Sequence, residues 1–125
     1  INGKTGIYVQ YAFVRANKLL ENSSDSINDV SLDFSLLDDV DLNLIKCLIK
    51  FEYFFKQALN SNEPHHLADY LYELSNHFNS MYQSTNILEN KNINIKLNKL
   101  KITSFFVNFS KLLMESLGIK PAEKM

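Results

Sequence analysis

The stretch NSNEPHHLADYLYELSNHFNSMY, residues 60–82, decides the fold class. Leu67, Tyr70, Leu71, Leu74, Phe78 and Met81 recur at intervals of three and four, which lines one face of an α-helix with apolar side chains. Asn62 suits an N-cap, and Pro64 falls near a first turn, where a missing N–H is tolerated. Working outward, the same period marks three more helices. One runs from about Gly6 to Glu21. A second spans about Asp41 to Leu59, carried by Leu44, Leu48, Phe51, Phe55 and Leu59. A last, long one covers about Ile93 to Leu117, carried by Ile102, Phe105, Phe106, Phe109, Leu112 and Leu113. Residues 22–41, NSSDSINDVSLDFSLLDDVD, read as a polar loop with at most one helical turn. With no alternating strand pattern, the chain reads as all-α, an antiparallel helical bundle forming one domain over residues 1–125.

The first helix is apolar on two sides. Tyr8, Tyr11, Ala12, Arg15 and Leu19 share one face, and Val9, Phe13, Ala16 and Leu20 form another. Such a helix requires cover on both. In so small a domain, one face is expected to dock on something outside the chain. Together with the abrupt opening INGKTG, this suggests a piece of a larger protein.

Composition narrows the chemistry. No apolar run approaches the roughly 20 residues that span a bilayer, so neither a membrane partner nor an anchor is expected. The lone Cys47, inside LIKCLIKF, cannot form an internal disulfide, fits a reducing cytosol and reads as a small core side chain. His65 and His66 are adjacent and so point to different sides of a helix, with His77 a distant third; the spacing does not resemble a zinc site. Asp38, Asp39 and Asp41 lack the alternation and glycine of a calcium loop. Three glycines supply no phosphate-binding loop. No catalytic constellation and no metal set emerge.

A net charge of -1 conceals a strong polarity. Residues 21–45 hold seven acids and no Lys or Arg, whereas residues 90–125 hold seven lysines and two acids. Lys96, Lys99, Lys101 and Lys111 fall on the last helix, and Lys120 and Lys124 beyond it, as candidate phosphate contacts or a solvated face. Tyr82 follows the core position Met81 and reads equally as core or as a rim ring able to stack on an unpaired base. In ESLGIKPAEKM, residues 115–125, Gly118 suits a left-handed cap and Pro121 forbids the helix from resuming. Residues 119–125 are therefore expected to lie back over the domain or project from it.

Three motifs then point to a family. NGKTGIYVQYAFVRANKLL, residues 2–20, resembles the opening of the C-terminal, DALR-type anticodon-binding domain of arginyl-tRNA synthetases in Gly6, Tyr8, Gln10, Tyr11, Ala12 and Arg15. EPHHLADYLYELSNHFNSMY, residues 63–82, is similar to its middle stretch in Glu63, Pro64, His65, Leu67, Tyr70, Leu71, Glu73, Leu74, Phe78 and Tyr82. LLMESLGIKPAEKM, residues 112–125, resembles its ending. The Asp-Ala-Leu-Arg tetrapeptide is not visible, and neither are the class I nucleotide-binding signatures of a catalytic domain.

The resemblance implies an all-α domain that receives the anticodon stem-loop of tRNA(Arg), with no DNA partner. Its parent is a cytoplasmic arginine–tRNA ligase whose own catalytic domain uses ATP with Mg; no cofactor is expected in this fragment. The resemblance also implies that Tyr82 and Met125 meet splayed anticodon bases. Lys96, Lys99, Lys120 and Lys124 are the expected phosphate contacts. Tyr8, Gln10, Tyr11 and Arg15 carry the family motif, in interdomain packing or at the RNA. The alternative is a helical protein–protein interaction module docking through its first helix, with the acidic loop suited to a basic partner.

Overall fold

The computed structural model describes residues 3–61 and 65–125, so the expected cap at Asn62 and the motif positions Glu63 and Pro64 lie outside the described residues. Five helices follow one another: α1 (Gly3–Glu21), α2 (Asp39–Ile49), α3 (Phe51–Ser61), α4 (His65–Ser84) and α5 (Ile93–Ser116). A single 3-10 turn at Phe34–Leu36 interrupts the loop before α2. The described residues contain no strand, and none of their helices is long and apolar enough to cross a membrane.

Local chemistry sets the helix starts. Asp38 accepts the Asp41 N–H at 3.0 Å while Asp41 accepts the Asp38 N–H at 3.2 Å, a reciprocal cap that opens α2. Asn92 accepts from the N–H groups of Asn94 and Ile95 to open α5.

The expected helix over Asp41 to Leu59 is two helices, broken at Lys50. At the break, the buried Tyr70 hydroxyl donates to the Cys47 carbonyl at 2.6 Å. An unbroken helix would give that carbonyl to the N–H of Phe51. Lys50 closes the turn instead, its N–H donating to the same carbonyl at 3.2 Å. A contact from α4 thus overrides a local period that runs straight through.

The α4 stripe is buried throughout, with Phe78 stacked on Phe106 of α5 at 4.5 Å and 4°. Side-chain register gives the helix directions. Asp41 meets Lys99 and, ten residues on in both segments, Phe51 meets Phe109, so the α2–α3 arm runs with α5. Tyr8 meets Asn76 and Arg15 meets Asn79, so α1 runs with α4. Phe54 stacks on Tyr70 and Phe51 on Phe109, while Phe78 meets Phe106, so α4 runs against α5. The result is an up-down-up-down bundle with α2 and α3 as one bent arm.

α4 and α5 cover much of α1, but the face that holds Tyr8, Tyr11 and Arg15 stays partly open, with Tyr11 49% exposed. Val9, Ala12, Phe13, Val14, Ala16 and Leu19 are buried and Leu20 is partly so. Leu59 and Leu112, expected in the core, are exposed.

The basic last helix and the acidic loop satisfy each other. Lys96 pairs with Asp25 at 2.9 Å. Lys101 donates to the carbonyls of Ile27 and Asn28 at 3.1 and 3.4 Å. Lys99, with 4% of its side chain exposed, donates to both oxygens of the fully buried Asp41 and to Asp38 at 3.4 Å. Lys99 is thus removed from the expected phosphate contacts, because its ammonium is enclosed and neutralised inside the protein, and Lys96 is tied down by its acid. Burial pushes the Asp41 carboxyl up, and the Lys99 bonds pull it back.

Removing one partner of a buried pair strands the other. Lys99→Met is expected to cost about 3–5 kcal/mol in urea unfolding. Adding Asp41→Asn to it is expected to return part of that loss.

Candidate nucleic-acid interface

Tyr11, Arg15 and Lys18 are spaced four and three apart on α1 and share one side of it. Beside them stand Tyr82, near the end of α4, and Met125. Together with Val14, Leu19, Asn22 and Leu88 they line a recess of about 280 Å3. The structure therefore gathers Tyr11, Arg15, Tyr82 and Met125, four of the expected site residues, into one place.

The centre of the recess is a stack. The Arg15 guanidinium lies 4.7 Å from the Tyr11 ring centroid and 4.5 Å from that of Tyr82. Its edges are used as well: Nη1 donates to Asn79 Oδ1 at 3.1 Å and Nη2 to the Tyr11 hydroxyl at 3.2 Å. A guanidinium this close to two ring centroids is attracted by both, and its N–H groups still donate at its edges. Tyr82 is a rim residue, 37% exposed, leaning on the buried Phe78; Tyr11 is 49% and Met125 58% exposed. The recess thus offers π-edges, a thioether and net positive charge to solvent.

Met125 arrives there because the chain reverses after α5. Gly118 takes φ +74°, its N–H donates to the Glu115 carbonyl at 3.1 Å, and the Ile119 N–H donates to Met114 at 2.8 Å. This is a Schellman cap, which requires the left-handed residue that glycine supplies. The tail then crosses α1, where Gln10 Nε2 donates to the Lys120 carbonyl and Gln10 Oε1 accepts the Ala122 N–H, both at 2.8 Å. Of the two courses open to residues 119–125, the tail lies back.

The other motif residue stands apart. Tyr8 is half-buried, donates to Asn76 Oδ1 at 2.5 Å and packs on Tyr72, so its role is to join α1 to α4. Lys120 and Lys124 are exposed on the tail. Lys18 was missed. Its signal was available, since it continues the Tyr11–Arg15 stripe, and among the described residues it pairs with no carboxylate.

The profile of the DALR anticodon binding domain matches residues 9–125. The chain belongs to that family. This DALR domain is 32% identical over 98% of its length to the arginine–tRNA ligase of Idiomarina loihiensis, of which it covers 21%. It superposes on the arginyl-tRNA synthetase of Thermus thermophilus with a TM-score of 0.87 at 27% identity, covering 99% of this chain and 22% of that one. For the enzyme from Plasmodium falciparum the TM-score is 0.83 at 31% identity, covering 100% of this chain and 22% of that one. The chain therefore spans about a fifth of the length of the relatives it matches.

Elsewhere in the DALR domain the histidines depart from expectation. The rings of His65 and His66 lie 4.1 Å apart, on one side of α4 and not on two. His77 comes to 3.8 Å from Glu73, and Cys47 joins them with its sulfur within 4.8 Å of both ligand atoms. Burial first, and then the Glu73 charge, push the Cys47 thiol up to about 12. At neutral pH it is a protonated core group, as its apolar setting in the sequence suggested. A thiol reagent at pH 8 is expected to label Cys47 slowly in the native chain and fast in urea; equal rates would contradict the burial.

Proposed function

We propose that this chain receives the anticodon loop of an arginine tRNA, as the C-terminal domain of an arginine–tRNA ligase. The observation that carries the reading is the Tyr11–Arg15–Tyr82 stack opening beside Met125. Unpaired bases of a loop expose π-faces and hydrogen-bonding edges that a duplex hides, and aromatic rings with a guanidinium meet both. In this reading Tyr82 and Met125 contact splayed bases. A methionine side chain adapts to an irregular base surface through its flexible, polarizable thioether.

Phosphates fall to a different set of lysines from the one expected. Lys96, Lys99 and Lys101 are committed to the 25–41 segment. Lys18, Lys120 and Lys124 remain exposed beside the recess or on the tail that reaches it, and they fix the position of the loop backbone without reading its sequence. The parent's own catalytic domain, using ATP with Mg, joins arginine to the far end of the same tRNA in the cytoplasm. That division explains why a chain with no catalytic grouping belongs to a ligase.

A second reading, a protein-interaction module, has one observation in its favour. Leu32, Phe34, Ile45, Leu48, Phe51 and Phe109 line much of an apolar groove of about 710 Å3, which shares no residue with the recess. The open part of α1 carries Tyr11, Arg15 and Lys18, a ring with two cations, whose chemistry suits RNA better than an apolar partner surface.

Fluorescence anisotropy with a tRNA(Arg) anticodon stem-loop separates the two. With three lysines at phosphates, log K is expected to fall with log salt at a slope of about -2. Tyr82→Ala is expected to lose about 1–3 kcal/mol of binding with the fold intact. A flat salt response, or equal affinity for a loop with altered anticodon bases, would refute specific loop recognition.

A further inference from the structure

The recess is assembled from two parts of different character. Tyr11, Arg15 and Tyr82 stand on helices packed into the core, but Met125 belongs to a seven-residue tail with no helix of its own. Something has to hold that tail at the right place. Beyond the Schellman turn, the Gln10 side chain hydrogen-bonds the tail on both sides of Pro121.

The bonding is chemically specific. Pro121 lies between the two anchored groups, so the tail presents the Lys120 carbonyl and the Ala122 N–H flanking a residue with fixed φ and no N–H. Gln10 answers with one donor and one acceptor from a single planar amide, at 2.8 Å each, in the way a neighbouring peptide unit would. Glutamate lacks the donor and would turn a carboxylate toward the Lys120 carbonyl. Asparagine is one methylene shorter. Gln10 also sits one residue before Tyr11, so the same turn of α1 that presents the stack holds the tail.

We propose that Gln10 is a positioning residue for loop recognition: its amide clamps the tail at Lys120 and Ala122 and thereby sets Met125 against the Tyr11–Arg15–Tyr82 stack. The inference rests on the RNA reading above for its functional half. Its structural half stands without RNA.

The test uses Gln10→Met, which keeps the side-chain length and removes both polar groups, and Gln10→Glu, which keeps the shape and removes the donor. Amide hydrogen exchange by NMR is read first, at the Ala122 N–H. Gln10→Met is expected to accelerate its exchange, and Gln10→Glu, which keeps the acceptor, to do so less, while helix amides of α4 and α5 stay protected. Unchanged exchange at Ala122 would overturn the clamp, whatever the RNA does.

Stem-loop affinity is read second. Gln10→Met is expected to bind roughly 5- to 30-fold more weakly, the equivalent of one to two lost hydrogen bonds. Met125→Ala combined with Gln10→Met is expected to be no weaker than the more severe single variant, because both act through one contact. A freed tail with unchanged affinity, or fully additive losses, would overturn the positioning role. Failure of the unaltered chain to bind any stem-loop would sink the RNA reading and the positioning role with it, while the exchange data still decide the clamp.

Discussion

Close approach of α1 to its neighbours is the constraint on which the recess depends. Ala12 and Ala16 sit one turn apart on α1 and are both fully buried. Small side chains at a helix contact bring the axes nearer, because the distance between packed helices follows the bulk between them. That nearness lets Arg15, between the two alanines' turn and solvent, reach Asn79 and Tyr82 on α4. A large residue at either alanine would separate α1 from the core and pull the stack apart. The site is therefore a by-product of packing as much as of its own polar contacts.

Charge is organised on the same economical plan. The acidic first third and the basic last third of the chain nearly cancel, and they do so through contacts made inside the fold. Asp25, Asp38 and Asp41 meet Lys96 and Lys99, and Lys101 caps loop carbonyls. The long connection between α1 and α2 is thereby tied along α5 without regular structure of its own. Lys18, Lys120 and Lys124 stay exposed beside the aromatic recess or on the tail, while Lys46, Lys50, Lys91 and Lys111 are exposed elsewhere on the domain.

How much of this was legible in the sequence depends on the range of the interaction. The α4 stripe was readable because burial on one face writes a period of 3.6 directly into the residues, and Leu67 through Met81 obey it. The break at Lys50 was not, because its cause is the Tyr70 hydroxyl, 23 residues away, capturing the Cys47 carbonyl. The fate of Lys99 was hidden for the same reason: a lysine spaced like its exposed neighbours gives no sign that two aspartates 58 and 61 residues earlier will enclose it. The resemblance gave Tyr82 and Met125 as base contacts and left Tyr11 and Arg15 between interdomain packing and RNA, since it carries positions across distance; the structure gathers the four in one recess. The resemblance could not say that Tyr8 and Gln10, in the same motif, serve a helix joint and a tail contact.

The Tyr11–Arg15–Tyr82 contact has a consequence for substitution at position 15. Twelve of the thirteen Lys and Arg side chains are lysine, and Arg15 is the exception. Its guanidinium meets two rings and also donates to Asn79 and to the Tyr11 hydroxyl, a set of contacts that a compact lysine ammonium, with no planar face, would not reproduce together.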